Sequence, residues 1–395
     1  MRMNPLEVAA GWVPGIVDSP PRALEAGLPI EPLATLESIL FNALRRPPCI
    51  VEFSGGRDSS AVLAVAVKVA RRESFDLPIP MTRIFPDADQ AGEEDWPELV
   101  IRHLGLDDWL RLLIHDELDL LGPTATEGLR RHGLLWPVTA HTKSITFEHA
   151  RGGALISGEG GDEVFGPRRI TPLTKLLAGA RPRGLGIKYA LAAVSPRAIR
   201  QRFMEASVRK SIASWLRPIA LRAYLESVVA DSLAEPMAWG ASVRLLTRRR
   251  GWLMGHHNLD LVAAEHDVQY LHPLLEEAFI SSWVRRHSVL GYPTRTRAMQ
   301  ALFGSLLPGE VLARTTKARF NRPYFEHYCR AFAEQWSGEG VDTNLVDVDE
   351  LKKVWAQESP HAQSLPLLHQ AWIACQVAYP ETGERNQPKR NSSQR

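Results

Sequence analysis

A serine- and glycine-rich stretch holds the first residues whose types and spacing suggest chemistry. In the run Ser-Gly-Gly-Arg-Asp-Ser, Ser54 and Ser59 supply hydroxyl groups and Asp58 supplies a carboxylate. Gly55 and Gly56 let the backbone turn tightly with no Cβ in the way. Free N–H groups of the loop and of a following helix N-terminus would then converge where an anion sits. A carboxylate beside that point suits a magnesium ion that bridges phosphates, so the stretch predicts a pyrophosphate-binding site.

This stretch differs from the usual phosphate-binding loop. That loop carries a lysine after its second glycine, whereas Arg57 and Asp58 stand at this place. An ordinary glycine-rich turn between a strand and a helix is the alternative interpretation.

A second glycine-rich loop carries a cluster of acids. The short apolar run that ends at Ile156 leads into Ser157 and then into Glu159, Asp162 and Glu163, with glycines between them. Clustered carboxylates are costly to bury unless a cation or a proton compensates. The two loops are about 100 residues apart, and each ends a buried strand. They predict one crevice at the carboxyl edge of a parallel sheet.

Together the two loops resemble the synthetase domain of the asparagine synthetase family, which includes β-lactam synthetases and lasso-peptide cyclases. The resemblance covers about residues 35 to 330. It implies an α/β fold, with a doubly wound parallel sheet of adenine-nucleotide α-hydrolase type and a large helical C-terminal portion. It also implies ATP and Mg²⁺ as cofactors. A substrate carboxylate attacks the α-phosphorus of ATP, pyrophosphate leaves, and an amine displaces AMP from the acyl-adenylate.

The resemblance also assigns roles to single residues. Asp58 and Asp162 match the family's magnesium-binding aspartates. Glu159 lies next to the incoming amine, where a carboxylate could accept a proton; orienting the loop by hydrogen bonds is its alternative role. Lys317 matches a family lysine that would neutralise charge on the α-phosphate and the tetrahedral adduct, with a plain surface charge as the alternative. The other expected nucleotide-binding residues are Phe53, Ser54, Gly55, Gly56, Ser59, Ser157 and Gly158.

The acceptor side of the site departs from the family pattern. Gln269 and Leu271 replace a charged pair of asparagine synthetases, and Arg319 stands where glycine is usual. These changes argue against free aspartate as the substrate. The run Ala-Glu-His-Asp that ends at Asp267 is similar to lasso-peptide cyclases, in which a peptide Asp or Glu side chain is adenylated and captured by the peptide's own N-terminal amine. Those cyclases usually keep a degenerate N-terminal domain, for which we find no counterpart.

Alternating strands and helices are predicted for the first part of the chain, which favours a parallel, doubly wound sheet. The four strands are expected to end near Phe53, Phe85, Ile114 and Ile156, and the reading beyond Pro167 is nearly all helical. We expect an irregular leader at 1–32, one domain at 33–379 (sheet part 33–166, helical part 167–379) and a disordered tail at 380–395.

Bulk composition is that of an ordinary enzyme. The chain has 395 residues, of which 45% are apolar and 23% charged. No apolar run is long enough for a membrane span, and no secretory signal is evident. Cys49, Cys329 and Cys375 form no metal-spaced pair. We therefore expect reduced thiols, no structural zinc and a cytoplasmic location.

The stretches before and after the two motifs bear on the nitrogen source and on binding partners. About 45 residues precede the first strand, too few for a glutaminase domain, so we expect free ammonia, ammonia from a partner, or another amine. Residues 168–250 carry 17 Lys and Arg against four acids. They form either a solvated surface or an anion-attracting face for an acidic peptide, a carrier or nucleic acid.

Three functions remain open at this stage. The first is ATP-dependent amide formation in natural-product or peptide modification, on a carboxylate such as that of a ribosomal precursor peptide. The alternatives are ammonia-dependent, asparagine-synthetase-like amidation of a small carboxylate, or adenylation in RNA modification. The missing cysteine pairs and the Ser-Gly-Glu-Gly-x-Asp-Glu match argue against RNA modification, so we do not expect a nucleic-acid partner. A non-catalytic partner subunit is disfavoured, because such a subunit has no chemical reason to keep Asp58, Asp162 and Lys317.

Overall fold

A computed structural model describes residues 2–17, 31–86, 95–179, 184–208, 213–287, 289–315 and 322–378. Five parallel strands form one sheet in the order β3-β2-β1-β4-β5. They are β1 (Cys49–Glu52), β2 (Ile79–Ile84), β3 (Leu110–Leu113), β4 (Ala154–Ile156) and β5 (Gln269–Leu271).

The helices before and around the first four strands are α1 (Pro5–Ala10), α2 (Pro32–Leu44), α3 (Arg57–Glu73), α4 (Asp95–Leu104), α5 (Pro123–His132), α6 (Ser144–Phe147) and α7 (Gly161–Phe165). Those that follow are α8 (Thr171–Leu177), α9 (Gly184–Val194), α10 (Arg197–Val208), α11 (Pro218–Leu233), α12 (Trp239–Thr247), α13 (Arg250–Ala264), α14 (Glu277–Arg286), α15 (Arg295–Phe303), α16 (Gly309–Ala313), α17 (His327–Gln335), α18 (Val348–Trp355) and α19 (Leu365–Ala378).

Helices cover both faces of the sheet, as a fully buried parallel sheet requires. Successive side chains of a strand point to opposite faces. Val51 and Ile156 accordingly join the core that contains α2 and α3. Ile50 and Leu155 pack instead into the core that contains α13. This arrangement confirms the predicted doubly wound α/β fold.

The four predicted strands are all present, but β5 was missed. It has only three residues and lies at the sheet edge beside β4, so it is too short to give a periodic signal. Because β5 follows α13, the stretch expected to be nearly all helical completes the sheet.

The N-terminal stretch is less irregular than predicted. Helix α1 begins with a capping box in which Asn4 and Glu7 each bond the other's backbone N–H. It packs on α11 and α19, and the Trp215 indole donates to the carbonyl of Ala9 at 2.8 Å. Much of the rest of the predicted leader, and the predicted tail at 380–395, lie outside the described residues. No helix among the described residues is long and apolar enough to cross a membrane.

Candidate active site

The two glycine-rich loops meet at the point where the strand order reverses. Strands β1 and β4 are neighbours, and Val51 pairs with Ile156. The chain leaves β1 toward β2 and later crosses back to β4, which makes their carboxyl ends a topological switch point. Ligands of open α/β sheets bind in the crevice at such a point. The predicted crevice is therefore formed by the loops before α3 and α7.

Two glycines allow the loops to touch. A Cβ added to Gly158 would lie 2.6 Å from the amide nitrogen of Ser59, and one added to Gly161 would lie 2.2 Å from Cγ of Asp58. Both distances are far below van der Waals contact, so any side chain there would push the loops apart. The close approach brings Asp58, in the first turn of α3, next to Asp162, in the first turn of α7.

The loop after β1 has the features of an anion cradle. The amide of Ser54 donates to Oγ of Ser59 at 3.3 Å, and the amide of Gly56 donates to Oγ of Ser54 at 3.4 Å. These bonds are long, so an anion with free lone pairs can compete for the same donors. Phe53 differs, because its side chain is in the core and its N–H and C=O bond Met81 and Thr82. Phe53 therefore fixes the start of the loop to the sheet and does not bind the anion itself.

A cation joins the two predicted metal ligands. The guanidinium of Arg295, at the start of α15, donates to Oδ2 of Asp58 at 2.5 Å and also to Oδ1 of Asp162. Oδ1 of Asp58 is buried without a hydrogen-bond partner among the described residues. Burial raises the pKa of Asp58, and the Arg295 charge only partly opposes it. A positive charge between two carboxylates, with one oxygen unsatisfied, fits a divalent cation held by oxygen ligands.

The second loop positions Glu159 at the rim of the crevice. Its backbone N–H donates to Oγ of Ser157 at 3.3 Å, and its Oε2 lies 3.5 Å from Nδ1 of His272. Burial raises the pKa of Glu159; Lys143 opposes this rise and Glu52 adds to it. A carboxylate with a raised pKa is a better proton acceptor than an ordinary one.

A buried polar network lies beside Glu159 on the same side of the crevice. The ammonium of Lys143 donates to Oε1 of Glu52 at 2.7 Å and to the hydroxyl of Tyr270 at 3.0 Å. The Tyr270 hydroxyl donates in turn to Oε2 of Glu52 at 2.8 Å. Lys143 and Glu52 therefore neutralise each other, and among the described residues Glu159 lies within ion-pair distance of His272.

The C-terminal end of α16 lies against the loop after β1. Arg314, directly after α16, is buried and donates to the carbonyl of Gly55 at 3.0 Å. Its guanidinium also lies over the ring of Trp96. Lys317 lies outside the described residues, so its assignment stays a prediction.

Sequence reasoning missed Arg295, His272 and the network around Lys143. No motif spacing links these residues to the two loops. The one sequence signal for them was the position of His272, directly after Gln269 and Leu271, where the chain departs from the pattern of asparagine synthetases. Leu271 packs against the core, and its carbonyl accepts from the amide of Ser157 at 2.9 Å.

Comparison with known families agrees with this geometry. The asparagine synthase family model matches residues 42–381, a range that includes both loops, β5 and α15. The chain therefore belongs to the asparagine synthase family, whose members use ATP to form carbon–nitrogen bonds. No curated protein sequence matches the chain significantly.

Proposed function

We propose that the protein adenylates a carboxylate with ATP, releases pyrophosphate, and transfers the acyl group to an amine with release of AMP. The observation that carries the proposal is the meeting of Asp58 and Asp162 around one positive charge at the switch point. An anion cradle and a pair of metal ligands at one crevice match the needs of phosphoryl chemistry, which depends on positioning and charge neutralisation.

Asp58 and Asp162 would hold Mg²⁺. When bound, the ion neutralises charge on the phosphates of ATP. The chain's own groups do the rest. The amides of Ser54 and Gly56 and the N-terminus of α3 bind the leaving pyrophosphate. Arg295 neutralises the two carboxylates that would hold the ion.

Glu159 accepts the proton of the attacking amine in this proposal. Its side chain lies at the rim of the crevice and is 38% exposed, so a substrate can reach it. Lys317 remains the proposed cation for the α-phosphate. This role is supported by Arg314, which lies three residues before Lys317 and donates a hydrogen bond to Gly55 of the pyrophosphate loop.

For the substrate we propose a carboxylate carried on a peptide, with macrolactam formation of the lasso-peptide type as the leading case. Leu271 stands where asparagine synthetases carry a charged residue, so a small amino acid lacks one of its charged anchors. Ammonia-dependent amidation of a small carboxylate is the runner-up.

ATP–pyrophosphate exchange tests the proposal. Free aspartate, free glutamate and linear peptides with a free N-terminus and one internal Asp or Glu are offered in turn, and AMP and dehydrated products are followed by mass spectrometry. We expect exchange with peptides and little with free amino acids. Exchange with aspartate alone would favour the runner-up, and no exchange with any carboxylate would overturn the adenylation proposal.

A further inference from the structure

A pair of histidines lies behind Glu159, and the reaction proposed above does not use it. His272 follows β5 and His256 lies on α13. Their rings are stacked with centroids 4.3 Å apart and planes inclined by 19°. His272 is buried, and Nε2 of each ring is buried without a hydrogen-bond partner among the described residues. Leaving buried imidazole nitrogens unpaired is costly.

The other nitrogen of His272 faces the reaction site. Its Nδ1 lies 2.7 Å from Oγ of Ser157 and 3.5 Å from Oε2 of Glu159. Oγ of Ser157 accepts the amide N–H of Glu159, and its own proton can bond either Nδ1 of His272 or the hydroxyl of Tyr270. A serine hydroxyl can reverse this bond and accept instead when the ring gains a proton. Nδ1 is thus a proton acceptor within reach of the Glu159 carboxylate.

We infer that His272 receives the proton that Glu159 takes from the attacking amine. This inference rests on the proposed amide-forming function and deepens it. The amine nitrogen forms a bond to the acyl carbon, and the bond from that carbon to the AMP oxygen breaks, so AMP leaves with the electron pair. The proton lost by nitrogen moves to a Glu159 oxygen, then to Nδ1 of His272, and finally to water. His272 acts through Glu159 and is a positioning residue.

The surroundings of His272 suit a transient proton carrier. Burial holds the pKa of His272 well below its usual range, and His256 and Lys143 lower it further. The ring is therefore neutral at pH 7, so Nδ1 can accept a proton, and the low pKa means that the ring does not retain it. The charged and titratable groups that face it are His256 from α13, Lys143, and Tyr270 from β5, whose ring centroid is 4.4 Å away, together with Glu159 itself.

The same side chains suggest a second role, which the ring geometry disfavours. Glu159, His256 and His272 offer ligand atoms within 4.8 Å of one another, as a zinc site would. A metal ion must lie near the plane of each imidazole that binds it. Two rings stacked face to face cannot both aim at one ion unless one of them turns. The stack therefore favours proton transfer.

The test separates the two half-reactions in the His272→Asn variant. Asparagine keeps a polar side-chain group near Ser157 but is not a base. The carboxylate that gives the strongest exchange with wild type is used, with ammonia or hydroxylamine as the amine. We expect exchange within a few-fold of wild type and about 10- to 100-fold slower amide formation from ammonia. Hydroxylamine, which is mostly unprotonated at neutral pH, should lose less.

His266→Asn is the matched control. His266 is also buried, and its Nδ1 lies 3.1 Å from a carboxylate, that of Glu148, but this pair lies outside the reaction site. Both half-reactions should be unchanged in this variant.

Three results would overturn the relay while leaving the proposed function intact: equal losses in both half-reactions, no loss in either, or zinc in the purified wild type that is absent from His272→Asn. A wild-type protein without exchange on any carboxylate would end the proposed function and the relay together.

Discussion

The two sides of the crevice are built in different ways. The nucleotide side consists of two contiguous loops, each directly after a central strand, because a phosphate is held by successive backbone N–H groups. The acceptor side is assembled from single side chains on β1, α13, β5 and the turn before α6. The difference shows that a backbone cradle leaves a readable motif, whereas side chains that converge from distant elements leave none.

Charge compensation also differs between the two sides. On the nucleotide side, Arg295 bridges Asp58 and Asp162 and stands where a divalent cation fits. On the acceptor side, Lys143 pairs with Glu52, and burial raises the pKa of Glu159. One side is thus prepared to exchange a cation and the other to accept a proton.

The largest expected effect is on the nucleotide side. Asp58→Asn should lower AMP formation by about 10³-fold or more, the equivalent of about 4 kcal/mol, because the amide cannot hold the metal. Thermal unfolding should show a folded protein, and Asp108→Asn, an exposed change, should have no effect. Near-wild-type turnover in the Asp58 variant would remove the shared-metal model.

Lys317 tests whether the nucleotide side includes the late segment of the chain. Magnesium and the loop amides already bind the phosphates of ATP, so Lys317→Met should lower kcat by about 10²–10³-fold and leave the KM for ATP within a few-fold. Arginine should rescue poorly because its planar fork does not replace a compact ammonium. The exposed Lys353→Met change is the control. A defect in ATP binding alone would contradict this role.

A change at Glu159 tests the acceptor side in two ways, by comparing the two half-reactions and by measuring the pH dependence of amide formation. Glu159→Gln should slow amide formation about 10²-fold while ATP–pyrophosphate exchange continues. The Glu159 carboxylate must be ionised to accept a proton, and its pKa is raised. As the pH is lowered, the rate of the wild-type amide step should therefore begin to fall at a higher pH than it would with a glutamate of ordinary pKa. The groups that set this pKa are Lys143, Glu52 and Arg83, with His272 adjacent. If the rate of amide formation in Glu159→Gln fell at the same acidic pH as in wild type, the titrating group would be a residue other than Glu159.

These contrasts explain how much could be predicted from the sequence. The Ser-Gly-Gly and Gly-Glu-Gly-Gly runs predicted the fold and a crevice at the carboxyl edge of the sheet, with Asp58 and Asp162 beside it, because those residues are adjacent in sequence to the strands that position them. Arg295 and His272 lie more than 100 residues from their partners. Their roles depend on packing of α15 and β5 that no local pattern encodes. The three-residue β5 was missed for the same reason.

Arg295 offers a smaller test, independent of activity. Removing its guanidinium leaves Asp58 and Asp162 without their resident cation, so Arg295→Gln should bind Mn²⁺ without nucleotide about tenfold more tightly, as measured by electron paramagnetic resonance. A gain of that size corresponds to about 1.4 kcal/mol. Arg297→Gln, exposed on the same helix, should bind like wild type. Equal affinities in all three proteins would show that Arg295 does not compete with the metal.

The smallest effect concerns the basic stretch at 168–250, which we propose attracts an acidic peptide to the acceptor side. The arginines at 248–250 are poor probes, because Arg250 pairs with the buried Glu7 and its reversal would destabilise the fold. Arg197 and Arg202 on α10 are exposed. Reversing both to Glu should weaken binding of a fluorescein-labelled acidic peptide by about 3- to 10-fold at low salt. The difference should vanish at ~1 M salt, where the Debye length is about 3 Å.

The matched control places the same charge change elsewhere. Arg102→Glu with Arg285→Glu alters two exposed arginines on α4 and α14, outside the basic stretch. If attraction is local, this pair should weaken peptide binding less than the α10 pair does, although the net charge of the two variants is equal. Equal losses in both pairs would mean that only net charge matters. Salt-insensitive binding in every variant would mean that residues 168–250 form a solvated surface, since screening acts on any exposed charge that contributes to the encounter.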